Sequence, residues 1–379
     1  MRGLCGGSSV GGFGPIPLGR MPDPSSNPSS SAAADVLLAS LRTLTRGQRL
    51  DEAQAERLFA LLLAGELDDA QIGAVLALCP PGQLAPEELV GAARVMRAHV
   101  TRVPYEPGPG ESLIDTCGTG GAPKTFNIST VAALIAAGAK PSEGRPRAVV
   151  AKHGNRSRTG RGSAEVLESL GVRVEASPET QAACLREAGV CFSFAIHHHP
   201  AMRHAAGPRR SLGVPTIFNC LGPLTNPAGA RRQLIGVFDR ALVDPMASAL
   251  AALGAEHAMV VHGDDGLDEL TTTTTTTMAR VRAGAVTRER LDAESLGLRR
   301  ATLAELAVET VGEAAEAVRR VLAGEPGAKR DIALLSAAAA LTVADAAPDM
   351  PEGVRLAAEA VDSGRASAAL AKLIECSHA

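Results

Sequence analysis

The chain is 379 residues long, 45% hydrophobic, with a formal net charge of −3 and a pI of about 6.3. That is enough apolar material for a folded protein of two structural units, and the acidic balance supplies no global basic field for nucleic acid or an anionic membrane. Aromatic residues are only 2%, with no Trp, which removes the stacking platforms of single-strand binders and leaves Ala, Leu and Val to build the core.

Residues 1–33 are rich in Gly, Pro and Ser without a basic-then-apolar leader pattern, and are expected to be a disordered tail, with Met21 a second candidate start. From Asp35 to Val100 apolar residues recur at helical spacing. Val36, Leu37, Leu41 and Leu44 form one stripe, and Ala55, Leu58, Phe59 and Leu62 a second, capped by Asp51. Asp68-Asp69 opens a third helix that Pro80-Pro81 stops, and Pro86 opens a fourth carrying Leu89, Ala92, Ala93 and Met96. Residues 34–104 are therefore expected to be a small all-helical domain, a packing or dimerisation module, with helices near 200–225 as candidates to complete it.

A Pro- and Gly-rich linker, Arg102–Gly110, marks a change of pattern. Short apolar runs now alternate with helices: Leu113-Ile114, Arg147–Ala151, Val172–Val174, Val190–Ala195, Leu234–Phe238 and Ala258–Val261. One helix reads cleanly, with Ser177 as cap, Pro178 at its first position and Gly189 at its end. Residues 105–379 are thus expected to be a larger α/β domain, its mostly parallel central sheet flanked by helices. The tract Thr271–Thr277 suits a strand or edge segment, since Thr favours extended backbone. An irregular stretch follows, then helices over Ala301–Ala323, Asp331–Ala344 and Pro351–Cys376.

Seven cysteines are scattered without a C-x2-C pair, so neither a zinc site nor a disulfide framework is indicated, and a reducing, cytoplasmic setting suits them. No apolar run reaches the ~18 residues that span a bilayer.

Three constellations carry chemistry. In Asp115-Thr-Cys-Gly-Thr-Gly-Gly121, glycines let backbone N–H groups approach an anion, and Asn127, Ser129 and Thr130 offer donors at the mouth of a helix over Val131–Ala139. A glycine turn alone is equally a plain strand–helix connection; the N-x-S-T that follows favours phosphate. Lys152-His-Gly-Asn-Arg-Ser157 follows directly on a strand, where α/β folds bind ligands, and Lys152 and Arg156 can pair with phosphate oxygens. In His262-Gly-Asp-Asp-Gly-Leu-Asp268-Glu269, adjacent carboxylates suit Mg2+ bridging to phosphates, with acid/base work or plain surface charge as alternatives. Arg209-Arg210 offers a fork for a carboxylate, and His197–His199 form a run on a loop before Pro200.

Taken in order, G-T-G-G, K-T-F-N-I-S-T, K-H-G-N-R, G-S-A-E-V-L-E, H-H-P-A-M-R, T-I-F-N-C-L-G-P-L-T-N-P-A and G-L-D-E-L closely resemble the anthranilate phosphoribosyltransferase family over nearly everything but the tail. The resemblance implies a helical domain joined to an α/β domain, a homodimer formed through the helical part, and Mg2+-dependent transfer of phosphoribose from 5-phosphoribosyl 1-diphosphate (PRPP) to anthranilate, in tryptophan biosynthesis. It implies PRPP contacts for Gly118, Gly121, Thr125, Asn127, Ile128, Ser129, Thr130, Lys152, His153, Gly154, Asn155, Arg156 and Ser163. Gly118, Asn155 and Arg209 would face anthranilate, and Ser129, Asp268 and Glu269 would hold Mg2+. No residue is assigned as acid or base. Nucleoside phosphorolysis on the same fold and a non-catalytic nucleic-acid binder are the rival readings; the first leaves Arg209 without a carboxylate, and the second expects a basic surface.

Two departures from the family lie on the phosphate side. Ala122 stands where an Asp commonly follows G-T-G-G, and Arg158 and Arg161 occupy a shortened segment where small residues are usual. Activity is expected to persist with an altered metal or pyrophosphate contact, the arginines partly replacing metal charge. A Mg2+ titration of activity superimposable on that of an Asp-containing relative would overturn this.

Overall fold

The computed structural model describes residues 28–121, 125–157 and 160–379. The amino-terminal lobe holds α1 (Pro28–Thr45), α2 (Glu52–Ala64), α3 (Asp69–Leu78) and α4 (Pro86–Ala98). Asp51 and Asp68 begin α2 and α3 with reciprocal capping boxes, each carboxylate accepting from the N–H three residues on while Gln54 or Gln71 reaches back. Because α1 starts at Pro28, the last residues of the expected 1–33 tail are helical; the rest of that stretch lies outside the described residues.

Beyond the linker run β1 (Glu111–Gly118), α5 (Ile128–Gly138), β2 (Arg147–Gly154), α6 (Ser163–Ser169), α7 (Pro178–Ala188) and β3 (Val190–Phe194). The chain then returns to the helical lobe through α8 (Ala195–His198), α9 (Arg203–Leu212) and α10 (Ile217–Leu221): α9 packs on α2 and α3, and α10 on α4. It re-enters the sheet with β4 (Arg232–Gly236), α11 (Val243–Ala252), β5 (His257–Gly263), β6 (Thr275–Arg282) and β7 (Ala285–Asp292). Five helices close the fold: α12 (Leu303–Leu306), α13 (Val311–Leu322), α14 (Ala328–Val343), α15 (Met350–Asp362) and α16 (Arg365–Ser377).

The seven strands form one sheet in the order β3-β2-β1-β4-β5-β6-β7, parallel from β3 to β5 and antiparallel from β5 to β7. Successive strand residues face opposite sides. Leu234, Met259 and Val261 accordingly join one core with α5 and α14, whereas Ile235, Ala258 and Val260 join another with α2, α4, α10 and α11. The helical lobe therefore shares its core with one face of the sheet. With so few aromatics, helices approach closely through small residues: a Cβ on Gly91 of α4 would lie 2.4 Å from the Glu52 carbonyl oxygen of α2, and one on Gly353 of α15 2.8 Å from the Ala338 carbonyl oxygen of α14.

Several expected elements are redrawn. Val172–Val174 is no strand; Val172 caps α6 by donating to the Leu167 carbonyl, and both valines are simply buried. Lys152, His153 and Gly154 lie inside β2 and not on a loop, because β3 extends alongside them, pairing Lys152 with Phe192 and Gly154 with Phe194. Ser129 and Thr130 belong to the first turn of α5, which starts at Ile128. His197 and His198 are helical. Only Thr275–Thr277 of the threonine tract is strand; β7, an edge strand exposed on both faces, lacks the apolar alternation that would announce it. The expected 351–376 helix breaks at Gly364, whose φ of +76° is left-handed, and the expected 301–323 helix is short α12 followed by α13.

Candidate functional site

Four parallel strands end in glycine at their carboxyl ends: Gly118 of β1, Gly154 of β2, Gly236 of β4 and Gly263 of β5. This is the edge where open α/β sheets bind ligands. At Gly236 the requirement is absolute, because a Cβ would sit 1.6 Å from the Asp268 carbonyl oxygen. The glycine turn runs across the same edge. Thr119 is tied from both sides, its N–H to the Gly236 carbonyl at 2.9 Å and its hydroxyl accepting from Phe238 N–H at 3.0 Å. Gly120 and Gly121 follow with φ of +64° and +105°, in the left-handed region that L side chains resist.

Lys152 is the centre of the site. Only 3% exposed, its Nζ donates to the Thr116 carbonyl at 2.5 Å and to Ser129 Oγ at 3.0 Å. Burial pushes its pKa down, while Asp115, Cys117, Glu269 and Asp268 favour the charged form. Asp115, fully buried in β1, accepts the His153 N–H at 3.0 Å and has its pKa raised by burial. Glu269 accepts the Ser129 N–H at 3.1 Å, so helix α5 meets the acidic loop and β2 at one residue. The carboxyls of Asp268 and Glu269 are both pushed upward by burial; for Glu269 the neighbouring Asp268 adds to it. The site is short of positive charge.

The mouth of α5 offers further unsatisfied groups. Asn127, at the N-cap, makes no capping bond; its Nδ2 donates to the Arg161 carbonyl at 3.3 Å, and its Oδ1 is buried without a partner. The Thr130 hydroxyl is likewise buried and unpartnered. Thr125 bonds locally to the Phe126 carbonyl and bridges to Ala307, while Ile128 is core. Ser163, at the start of α6, lies 3.4 Å from the Asn155 carbonyl, with Asn155 itself exposed.

Two expected phosphate arginines are engaged elsewhere. Arg156 forks onto Glu168 at 2.6 and 2.7 Å and lies over the Phe194 ring. Arg161 donates to the Val308 carbonyl. Ala122 and Arg158 lie outside the described residues.

On α9, Arg209 is half-buried with its guanidinium 5.4 Å over the Phe218 ring. Burial lowers its pKa, and it has no carboxylate partner among the described residues. His153 and His199 stand with ring centroids 5.1 Å apart, burial lowering the pKa of each, and both have a buried, unpartnered Nε2. His197 is exposed, and His198 bonds the Thr101 carbonyl. No group of three or more His, Cys, Asp or Glu side chains converges as a metal cage among the described residues; what exists is the pair Asp268-Glu269 beside Ser129.

Sequence reasoning missed the scaffold: Asp115, Gly236, and the asparagines of T-I-F-N-C-L-G-P-L-T-N. Asn219 Nδ2 reaches the Thr119 carbonyl at 3.3 Å, and Asn226 Nδ2 holds the Ala151 carbonyl at 2.8 Å. Two asparagines bracketing a Gly-Pro turn were the available signal.

Residues 110–367 match the glycosyl transferase family, a/b domain, and residues 39–100 its helical bundle domain. The anthranilate phosphoribosyltransferase of Thioalkalivibrio sulfidiphilus is 46% identical over 337 residues, covering 88% of this chain and 96% of its own. That of Rubrobacter xylanophilus is 46% identical over 345 residues, covering 90% and 98%. Among solved structures, anthranilate phosphoribosyltransferase from Thermus thermophilus superposes with a TM-score of 0.81 at 39% identity, over 90% of this chain and 99% of that one. The Saccharomyces cerevisiae enzyme in complex with PRPP and Mg shares the fold, with a TM-score of 0.79 at 24% identity, over 91% and 98%.

The Gly236–Asp268 contact makes a direct prediction. Gly236→Ala should destabilise the protein by about 1–3 kcal/mol or more, read as a lower urea midpoint; an unchanged midpoint would mean the acidic loop moves away from β4 without cost.

Proposed function

The chain belongs to the anthranilate phosphoribosyltransferase family, and from that premise we propose that it transfers the phosphoribosyl group of PRPP to the amine of anthranilate, releasing pyrophosphate, in the second step of tryptophan biosynthesis from chorismate. The observation that carries this reading is the meeting of Lys152, Ser129 and Glu269 at the sheet's carboxyl edge, opposite an Arg209 that lacks a carboxylate.

In this reading the glycine turn, the mouth of α5 and Lys152 hold the phosphates of PRPP. The positive end of the α5 dipole favours the anion. The buried Asn127 Oδ1 and Thr130 hydroxyl gain partners from the ligand or its water. Arg209 forks onto the anthranilate carboxylate, stiffened by Phe218 beneath it. It thereby directs the arylamine toward C1 of the ribose. The amine nitrogen bonds to C1 as the C1–O bond breaks, and pyrophosphate leaves with the electron pair. The arylamine proton passes to solvent or to the departing pyrophosphate, so no strong base is needed. As charge develops on the leaving group, Lys152 and the helix-end donors stabilise it.

Mg2+ fits the residues present. Asp268 and Glu269 are adjacent hard oxygen donors, and Ser129 Oγ keeps a lone pair after accepting from Lys152. Bound there, Mg2+ would neutralise charge on the pyrophosphate. Asp268, Glu269 and Ser129 would hold it, leaving its remaining positions to phosphate and water. The same reading pairs two chains through the helical lobe, where Leu38 stands exposed on α1. Six cysteines that are free and buried suit a reducing cytoplasm.

Loss of anthranilate fluorescence on mixing protein, PRPP and Mg2+ tests the activity, and absence of turnover would refute it. In that assay Arg209→Ala should cost about 1.5–3 kcal/mol of anthranilate binding, the worth of a charged hydrogen bond, or roughly ten- to hundredfold in its KM. The KM for PRPP should change little; equal losses for both substrates would remove the role given to Arg209.

A further inference from the structure

The threonine tract is a low-complexity run in the sequence, yet the hydroxyls of Thr271, Thr273, Thr275 and Thr277 each donate to a specific aspartate. Thr271 Oγ1 donates to Asp265 Oδ2 at 2.6 Å, and Thr273 Oγ1 donates to the same oxygen. Asp265 Oδ1 accepts the Leu267 N–H at 3.0 Å. One carboxylate thus grips the backbone immediately before Asp268-Glu269 and two side chains immediately after it. The loop is closed inside this grip by Gly263 N–H on the Leu267 carbonyl and Gly266 N–H on the Gly263 carbonyl, both at 2.8 Å. A second grip lies behind the first. Thr275 and Thr277 donate to the two oxygens of Asp264 at 2.5 and 2.8 Å, and exposed Arg290 of β7 reaches Asp264 and Thr275, both at 2.8 Å.

The alternation has a physical basis. Thr275 and Thr277 are two apart on extended β6 and so share the face toward Asp264, whereas Thr271 and Thr273 reach Asp265 from the bend before the strand. Val would serve as well for extended backbone and could not donate. At 271, 273, 275 and 277 Thr therefore answers to the aspartates as well as to backbone conformation.

We propose that Thr271, Thr273 and Asp265, backed by Thr275, Thr277, Asp264 and Arg290, are positioning residues that hold the Asp268-Glu269 pair in the orientation Mg2+ binding needs. The inference rests on the functional reading above for the identity of the metal. Two like carboxylates side by side repel, and without an external grip the loop between β5 and β6 relieves that repulsion by splaying them. Outer residues that fix a ligand's orientation commonly govern metal affinity without touching the metal.

The test is calorimetric titration of Mg2+ into the full chain with PRPP present, alongside turnover. Thr271→Val/Thr273→Val should weaken Mg2+ binding by roughly tenfold, the low end of the loss seen when outer-shell partners are removed, with the KM for anthranilate unchanged. Thr271→Ser/Thr273→Ser, which keeps both hydroxyls, should restore binding. Thr272→Val, whose hydroxyl is buried without a partner, should bind Mg2+ like the wild type. A folded Val/Val variant with wild-type Mg2+ affinity, or a Ser/Ser variant as weak as Val/Val, would overturn the proposal. Should Val/Val fail to fold, exposed Arg290→Ala decides: weakened Mg2+ binding supports the proposal and unchanged binding overturns it. If the wild type binds Mg2+ with PRPP but does not consume anthranilate, the functional reading falls and the calorimetry still decides this one. A wild type that binds no Mg2+ in the presence of PRPP overturns it.

Discussion

Burying an ammonium group is among the costlier things a fold can do, and the site is arranged around doing it at Lys152. The side chain leaves β2 beneath the glycine turn, with a carbonyl of β1 and a hydroxyl of α5 as its immediate acceptors. An unpaired charge there would neutralise or unfold its surroundings. Asp115 on β1 and the adjacent Asp268 and Glu269 on the loop after β5 supply the compensating field from two separate segments. Burial pushes the Glu269 carboxyl toward its neutral form, and neighbouring Asp268 adds to that push while Lys152 opposes it. The result is a site in which one buried ammonium and three carboxylates face one another across β1, β2 and the acidic loop.

The geometry that permits this depends on small residues. Glycines at four strand ends allow loops to cross directly over the sheet edge, and at Gly236 no side chain at all is tolerated. The same economy runs through the helices, where Gly91 and Gly353 let neighbouring axes close to backbone contact. A core poor in aromatics thus holds its density by close approach and not by large side chains.

The sheet also explains how a helical lobe and an α/β lobe act as one body. Alternate residues of β4, β5 and β6 enter different cores, and the lobe shares its core with α10, α11 and one sheet face. Arg209 sits on α9, packed against α2 and α3, while Lys152 sits on β2. Arg209 and Lys152 are therefore carried by different lobes across a common sheet, and their separation is fixed by packing.

Much of this was legible in the chain itself. Helical stripes with capping boxes at Asp51 and Asp68, the strand–helix alternation after Gly110, and the order of the glycine, lysine and acidic motifs all follow from local chemistry, where a residue's neighbours within a few positions determine its conformation. Elements without a local signal escaped: β7, with no apolar alternation, and the break at Gly364 inside a continuous amphipathic pattern. What a charged side chain faces was not legible either. Arg156 and Lys152 are equally plausible phosphate ligands in one motif, yet Arg156 is held by Glu168 twelve residues on, and Lys152 is buried against Thr116 and Ser129 of other segments. The threonine tract read as strand because propensity is local; its bonds to Asp264 and Asp265 exist only once the loop folds back. Sequence by itself determined which elements form and which chemistry is present, since both rest on short-range periodicity and residue type. Tertiary structure decided which charges are left unpaired, since that depends on partners brought together from distant parts of the chain.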